Sequence, residues 1–336
     1  MRILLCSPEA QAATGNANSA RRYQALLQQR GHQVEVLLAP ANAVVFAAAC
    51  QWFQPEVLLL IHAWRSGRLW LESGRPAPAL VVLSGTDVNH GLDQPDQAPV
   101  IRQVLQAAAV VAAHNPQLLE QLGQRLPQCR QRLHVLPVSV QLGRQIYSLQ
   151  QHHGIDPTTL VLLCPAGLRP VKGVLDLLHW YNALPPDRLS PPCLLAFCGP
   201  VLDETYSRCF LAAVRQQPLA CYLGVIAPDA MADVLRQSAL VINHSESEGL
   251  SGALLEAACL GRPILARDIP GNRALVQPGV NGLLYREQQE FHRHLLHLVQ
   301  HASLRQQLSR PQPQMLDGSA EGDALEQLCR LTAYQL

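Results

Sequence analysis

The sequence predicts an α/β protein of two doubly wound domains, each a parallel sheet covered by helices. The first observation is length: 336 residues exceed what one ordinary core covers. The second is that short apolar runs alternate with helical patterns from end to end. Strands buried on both faces read as such runs, and the alternation implies helices packed on a parallel sheet. The third is that the pattern halts at a polar, Gln- and His-rich stretch, 141–157, and restarts after residue 158.

In the first half, residues 3–6, 34–38, 57–61, 80–83, 110–113 and 133–138 read as strands. A helix over 16–30 follows the first of them and stops at Gly31, the usual place for a terminating glycine. In the second half, 160–164, 194–198, 222–223 with their neighbours, 240–243 and 263–266 are strand candidates. Helical patterns lie near 173–183, 204–216, 229–237 and 252–260. Pro311, Pro313, Gly318 and Gly322 break the pattern before a final helix over about 323–334. The expected domains are 1–141 and 159–310, with a linker at 142–158 and a tail with its helix at 311–336.

Composition excludes several classes. Hydrophobic residues make up 48% and charged residues 15%, so the chain can bury large cores. A net charge of +1 without long charge runs leaves no footprint for nucleic acid. No stretch approaches the length of a membrane span, which leaves peripheral membrane contact open. The ten cysteines lack a C-x-x-C pair and read as reduced, mostly buried thiols of a cytoplasmic protein. The N-terminus reads as a short strand and not as a signal peptide.

Ligands of open parallel sheets bind at the carboxyl ends of the strands, so chemistry is expected on the loops that follow them. After the strand 160–164, the loop Gly167-Leu168-Arg169-Pro170-Val171-Lys172-Gly173 carries two cations at a helix entry. Such a pair beside a helix N-terminus suits a diphosphate, although two solvated cations would look the same. After the strand 240–243 comes Ser245-Glu246-Ser247-Glu248-Gly249-Leu250-Ser251-Gly252, with Glu256 further along the helix. Gly249, Leu250 and Ser251 lead into a helix mouth whose free N–H groups suit an anion. The carboxylates of Glu248 and Glu256 suit sugar hydroxyls. Read blandly, Glu256 only complements the helix dipole and Glu248 is an exposed loop acid.

In the first half, Thr14-Gly15-Asn16 opens a helix after the first strand, and Gly15 permits close backbone approach to a phosphate or sugar. Asp87, within Ser84-Gly85-Thr86-Asp87-Val88-Asn89, and His62 both follow strands and reach the sheet edge. An Asx turn and a packing histidine are their plain alternatives. Glu290, His294, His297 and His301 share a helix side and read as the polar face of an amphipathic helix. No Asp-x-Asp occurs to hold a Mg²⁺–diphosphate complex, and no metal is expected.

The Arg169/Lys172 loop, Cys198-Gly199-Pro200, the Glu248 to Glu256 segment and Asn281-Gly282-Leu283-Leu284 resemble the donor half of retaining GT-B glycosyltransferases of family 4. This likeness runs over about residues 160–300. Thr14-Gly15-Asn16, Gly85-Thr86-Asp87-Val88-Asn89, the Arg169 loop and Ile269-Pro270-Gly271-Asn272 are similar to a subgroup, the glycosyltransferase 1 domain-containing protein 1 type. Several of these marks also resemble the bacterial selenosugar synthase. The resemblance implies two Rossmann-like domains facing a central cleft, with the C-terminal helix crossing back to the first. It implies metal-independent, retaining transfer of a sugar from a UDP- or GDP-linked donor, used as co-substrate without further cofactor, to a small-molecule or glycan acceptor. Transfer to a small anion, a nucleotide-sugar-binding protein without turnover, and an epimerase or phosphorylase are the rivals. By resemblance, Arg169 and Lys172 hold the diphosphate and Glu256 the ribose. Glu248 faces the donor sugar, and Gly15 with Asn16 closes over the phosphates. Thr86 stands where many relatives carry His, which leaves Asp87 or His62 for part of that catalytic role. Asn272 stands where many carry Glu.

Overall fold

A computed structural model describes residues 1–8 and 15–334. Thr14 therefore lies outside the described residues. The chain forms two compact units, Met1–Ser139 with Asp317–Leu336, and Val140–Leu316.

The first unit is a six-stranded sheet of β1 (Arg2–Ser7), β2 (Gln33–Leu38), β3 (Val57–Ile61), β4 (Ala79–Val82), β5 (Val110–Ala113) and β6 (Leu133–Val135), in the order β2-β1-β3-β4-β5-β6. Every pairing is parallel. The alternation of side chains divides β1 between two cores. Leu4 and Cys6 pack on one face with Phe46, Trp70 and Ile101, whereas Ile3 and Leu5 pack on the other with Tyr23, Leu27 and Leu325.

Leu325 belongs to the C-terminal helix Ser319–Ala333, which therefore covers the sheet of the first unit. This helix starts four residues earlier than its glycines suggest. Gly322 lies inside it because the helix crosses Arg30, and a Cβ there would collide with the guanidinium. The Glu321 carboxylate, 1% exposed, accepts from Arg22 Nε at 2.9 and 3.1 Å and from Ser139 N at 2.9 Å. The helix is thus tied to both the first helix and the last residue before the second unit.

The second unit is also a six-stranded parallel sheet: β7 (Leu160–Pro165), β8 (Cys193–Cys198), β9 (Ala220–Tyr222), β10 (Leu240–Asn243), β11 (Ile264–Arg267) and β12 (Gly282–Tyr285). The order is β12-β11-β10-β7-β8-β9. β12 was not among the expected strands. It is short and opens on glycine, and its pairing with β11 supplies what its sequence lacks. The stretch 142–158 is bonded to the helix Pro228–Gln237. Tyr147 N donates to Asp233 Oδ2 and Leu149 N to Gln237 Oε1, each at 2.9 Å, and a short helix, Leu149–His153, follows. No helix among the described residues is long and apolar enough to cross a membrane.

Candidate active site

In the second sheet, β7 sits between β10 and β8. The chain leaves β7 toward one edge through β8 and β9, then returns to the other side of β7 as β10. This is a topological switch point, the place in an open parallel sheet where ligands bind at the carboxyl ends of the strands. The loops after β7 and β10 are those that carry Arg169, Lys172, Glu248 and Ser251.

Glycines let these loops touch. Gly173, at φ 60°, starts the helix Val174–Asn182, and a Cβ there would stand 2.8 Å from His244 O. Gly199, at φ 144°, leaves no room for a Cβ beside Ala166 O, and Gly271 leaves none beside Glu248 O. Glu246 N donates to Val171 O at 2.9 Å, stitching the two switch-point loops together.

At this seam Lys172 Nζ lies 2.5 Å from Glu248 Oε1. The same oxygen accepts from Ser245 Oγ at 2.7 Å and Asn243 Nδ2 at 3.4 Å. Burial pushes the Glu248 carboxyl up, but the charge of Lys172 and the bonds from Lys172, Ser245 and Asn243 outweigh it. The net result lies below the ordinary carboxylate range. Glu248 is therefore an ionised, oriented acid.

Glu256 contrasts with it. Desolvation by burial raises its carboxyl to about 7. It occupies the second turn of the helix Gly252–Cys259 and bears electrostatically on Cys198, at the end of β8, and on Cys259. Arg169 is half-buried, and its Nε has no hydrogen-bond partner. Ser251 is the N-cap residue of the Gly252 helix and makes no side-chain cap bond; Gly249 is buried and Leu250 half-buried before it.

Asn243 carries no signal of its own in the sequence, and Asn272 is marked there only as standing where many relatives carry Glu. Asn243, Ser245 and Asn272 are all buried. Asn272 Nδ2 donates to Asn243 Oδ1 at 3.0 Å and to Arg267 O at 2.9 Å. The available clue was an asparagine closing an otherwise apolar strand, where a buried amide must find partners.

The first unit holds the other expected site residues. Asp87 is 0% exposed, and its carboxylate accepts from the backbone N–H groups of Ala63, Ser84 and Gly85. These bonds join the loops after β3 and β4. His62, at φ 79°, accepts at Nδ1 from Trp64 N and Arg65 N, both at 3.2 Å. Those bonds place its proton on Nε2, which faces Thr86 Oγ1 at 3.4 Å. Gly15 is exposed at the start of the helix Gly15–Gln29, and Asn16 is half-buried beside it. Among the described residues, no group of three or more His, Cys, Asp or Glu side chains is placed to hold a metal.

Known proteins share this architecture. The chain is 28% identical over 293 residues to glycosyltransferase 1 domain-containing protein 1 of Xenopus tropicalis, covering 83% of this chain and 82% of that protein. Sucrose-phosphate synthase from Thermosynechococcus elongatus superposes with a TM-score of 0.81 at 14% identity, covering 98% of each chain. HepE of Anabaena, solved in complex with UDP and glucose, superposes with a TM-score of 0.76 at 16% identity over the whole of both chains. These neighbours establish the GT-B fold. The profile of the family described as glycosyl transferases group 1 matches residues 146–315, the unit in which the Lys172 and Glu248 loops meet. With that match spanning half the sequence, the chain belongs to the group 1 glycosyl transferases and is a glycosyltransferase.

Proposed function

We propose that the protein moves a sugar from a nucleotide-diphosphate donor to a small-molecule or glycan acceptor, with retention at the anomeric carbon and without a metal. The observation that carries this reading is the Lys172–Glu248 pair at the switch point, beside a helix N-terminus without a side-chain cap. Arg169, Lys172 and that terminus together offer positive charge to a diphosphate. As the bond between the anomeric carbon and the phosphate oxygen breaks, its electron pair stays on the diphosphate, and the same groups stabilise the developing charge. Glu256 accepts the ribose hydroxyls. Binding of UDP by HepE supports a uridine donor here.

Glu248 is better suited to orient the sugar than to attack it. One of its oxygens already takes three donors, and its basicity is lowered. The acceptor oxygen then attacks from the face the diphosphate leaves, and its proton passes to the departing phosphate oxygen. His62 and Thr86 are the residues of the first unit we assign near the reacting sugar, with Asp87 holding their loops. Gly15 and Asn16, at the start of the first helix, are proposed as phosphate-binding residues. Ten free cysteines, eight of them buried, support a reducing, cytoplasmic setting.

A thermal-shift screen over UDP- and GDP-sugars identifies the donor, because a ligand bound only by the folded state raises the melting point. Transfer from that donor to alcohol acceptors, followed by NMR with EDTA present, should give a product with the donor's anomeric configuration. An inverted product, or activity abolished by EDTA, would overturn the reading.

A further inference from the structure

We propose that Asn243 is a positioning residue that draws the Ser251 hydroxyl away from its own helix, leaving the N–H groups of Ala253 and Leu254 open to an anion. The inference rests on the donor site proposed above and adds a residue to it. A serine at an N-cap normally accepts from the second or third helical N–H. Ser251 has the extended backbone of such a cap, φ −78° and ψ 113°, yet makes no cap bond. Its Oγ accepts instead from Asn243 Nδ2 at 3.2 Å, and Ser251 is only 4% exposed.

The orientation of the Asn243 amide is determined by its other end. Oδ1 accepts from Ser245 N at 3.1 Å and from Asn272 Nδ2 at 3.0 Å. An amide turned over would face both donors with its own NH₂, so the NH₂ must point toward Ser251 and Glu248. Asn272, 0% exposed, is held in turn by donating to Arg267 O. A chain of two amides thus runs from β11 through the end of β10 to the N-cap of the Gly252 helix. Among the described residues, a Cβ on Gly252 at the first position of that helix would meet nothing within 4 Å. One side chain therefore orients the acid of the site and keeps its anion-binding terminus from closing on itself.

Asn243→Ala frees the serine to cap its helix. In the ligand-free protein, amide hydrogen exchange at Ala253 and Leu254 should slow about fivefold, the worth of one cap bond. The change should vanish in Asn243→Ala/Ser251→Ala. UDP affinity, with GDP as second probe, should fall in Asn243→Ala, and the fall should be at least about threefold smaller when measured in the Ser251→Ala background. Asn243→Asp, which keeps the shape and the Oδ1 acceptor but cannot donate, serves if the alanine variant does not fold. Unchanged exchange at both amides, with equal loss of UDP affinity in both backgrounds, would overturn the proposal and leave Asn243 acting through Glu248 alone. If the wild-type protein binds neither UDP nor GDP, the donor reading fails, while the exchange measurement still decides whether Asn243 diverts the cap.

Discussion

Lys172 Nζ and Glu248 Oε1 stand 2.5 Å apart, although the residues are 76 positions apart in the chain. Their side chains are 17% and 11% exposed, so the pair is screened less than a surface ion pair. The contact makes Lys172 part of the scaffold as well as a candidate phosphate ligand, because its charge helps to hold the Glu248 carboxyl below the ordinary value.

Lys172→Ala should therefore lower both turnover and stability. Loss of one donor to the leaving diphosphate predicts a fall of about 10²–10³ in kcat. Loss of the charge-assisted bond to Glu248 predicts about 1.5–3 kcal/mol in denaturant unfolding. The sign of the pH effect follows from the lowered Glu248 carboxyl. Its contribution is present above the ordinary carboxylate value of 4.5 and disappears as pH falls through its lower folded value, so the variant and wild type should converge in acid. Full turnover in the variant would remove Lys172 from the phosphate site, whatever happens to stability.

Glu256→Gln should separate stability from binding. A carboxyl raised from 4.5 to about 7 destabilises the folded protein where it must ionise. Wild-type stability from this group is full below pH 4.5 and is lost as pH rises to about 7. The glutamine variant should gain on wild type through that window, by on the order of 3 kcal/mol above pH 8. It should also bind UDP more weakly at pH 8, because an amide replaces an acceptor of two hydroxyls. Melting curves and calorimetry across pH 5–9 test both halves. A variant without a stability gain at pH 8 would mean the acid is well solvated.

Glu321→Ala tests what holds the C-terminal helix. Removing the carboxylate leaves the Arg22 guanidinium, 13% exposed, without its partner, and leaves Ser139 N without its acceptor. A cost of about 3–5 kcal/mol is expected from denaturant titration. A loss below about 1 kcal/mol would show that the apolar contacts of Leu325 and Leu328 hold the helix by themselves.

Most strands were visible locally because a strand buried on both faces must be apolar throughout, and 57–61 and 110–113 are such runs. β12 was hidden because Gly282-Leu283-Leu284-Tyr285 has weak strand preference and is ordered by its neighbour β11. The charged site residues stood out because cations and acids beside glycine turns are conspicuous. Asn243 did not, since an asparagine at a strand end is ordinary until its buried partners are known, and Asn272 was marked only by resemblance. Asp87 reads two ways for a related reason. Its position after a strand suits catalysis and loop-holding equally, and the three N–H groups around its carboxylate came into view only with the fold.

Periodicity, length and loop composition along the chain were enough for two parallel α/β domains and for the loops that carry charge. These properties depend on near neighbours, through burial of alternate residues and backbone freedom at glycine. Which charges meet depended on packing. β7 and β10 became neighbours through long-range pairing, and that pairing turned Lys172 from a loop cation into the partner of Glu248, and Ser251 from a helix cap into the acceptor of Asn243. Strand order is set by how whole helices and sheet faces bury one another, which no local pattern records.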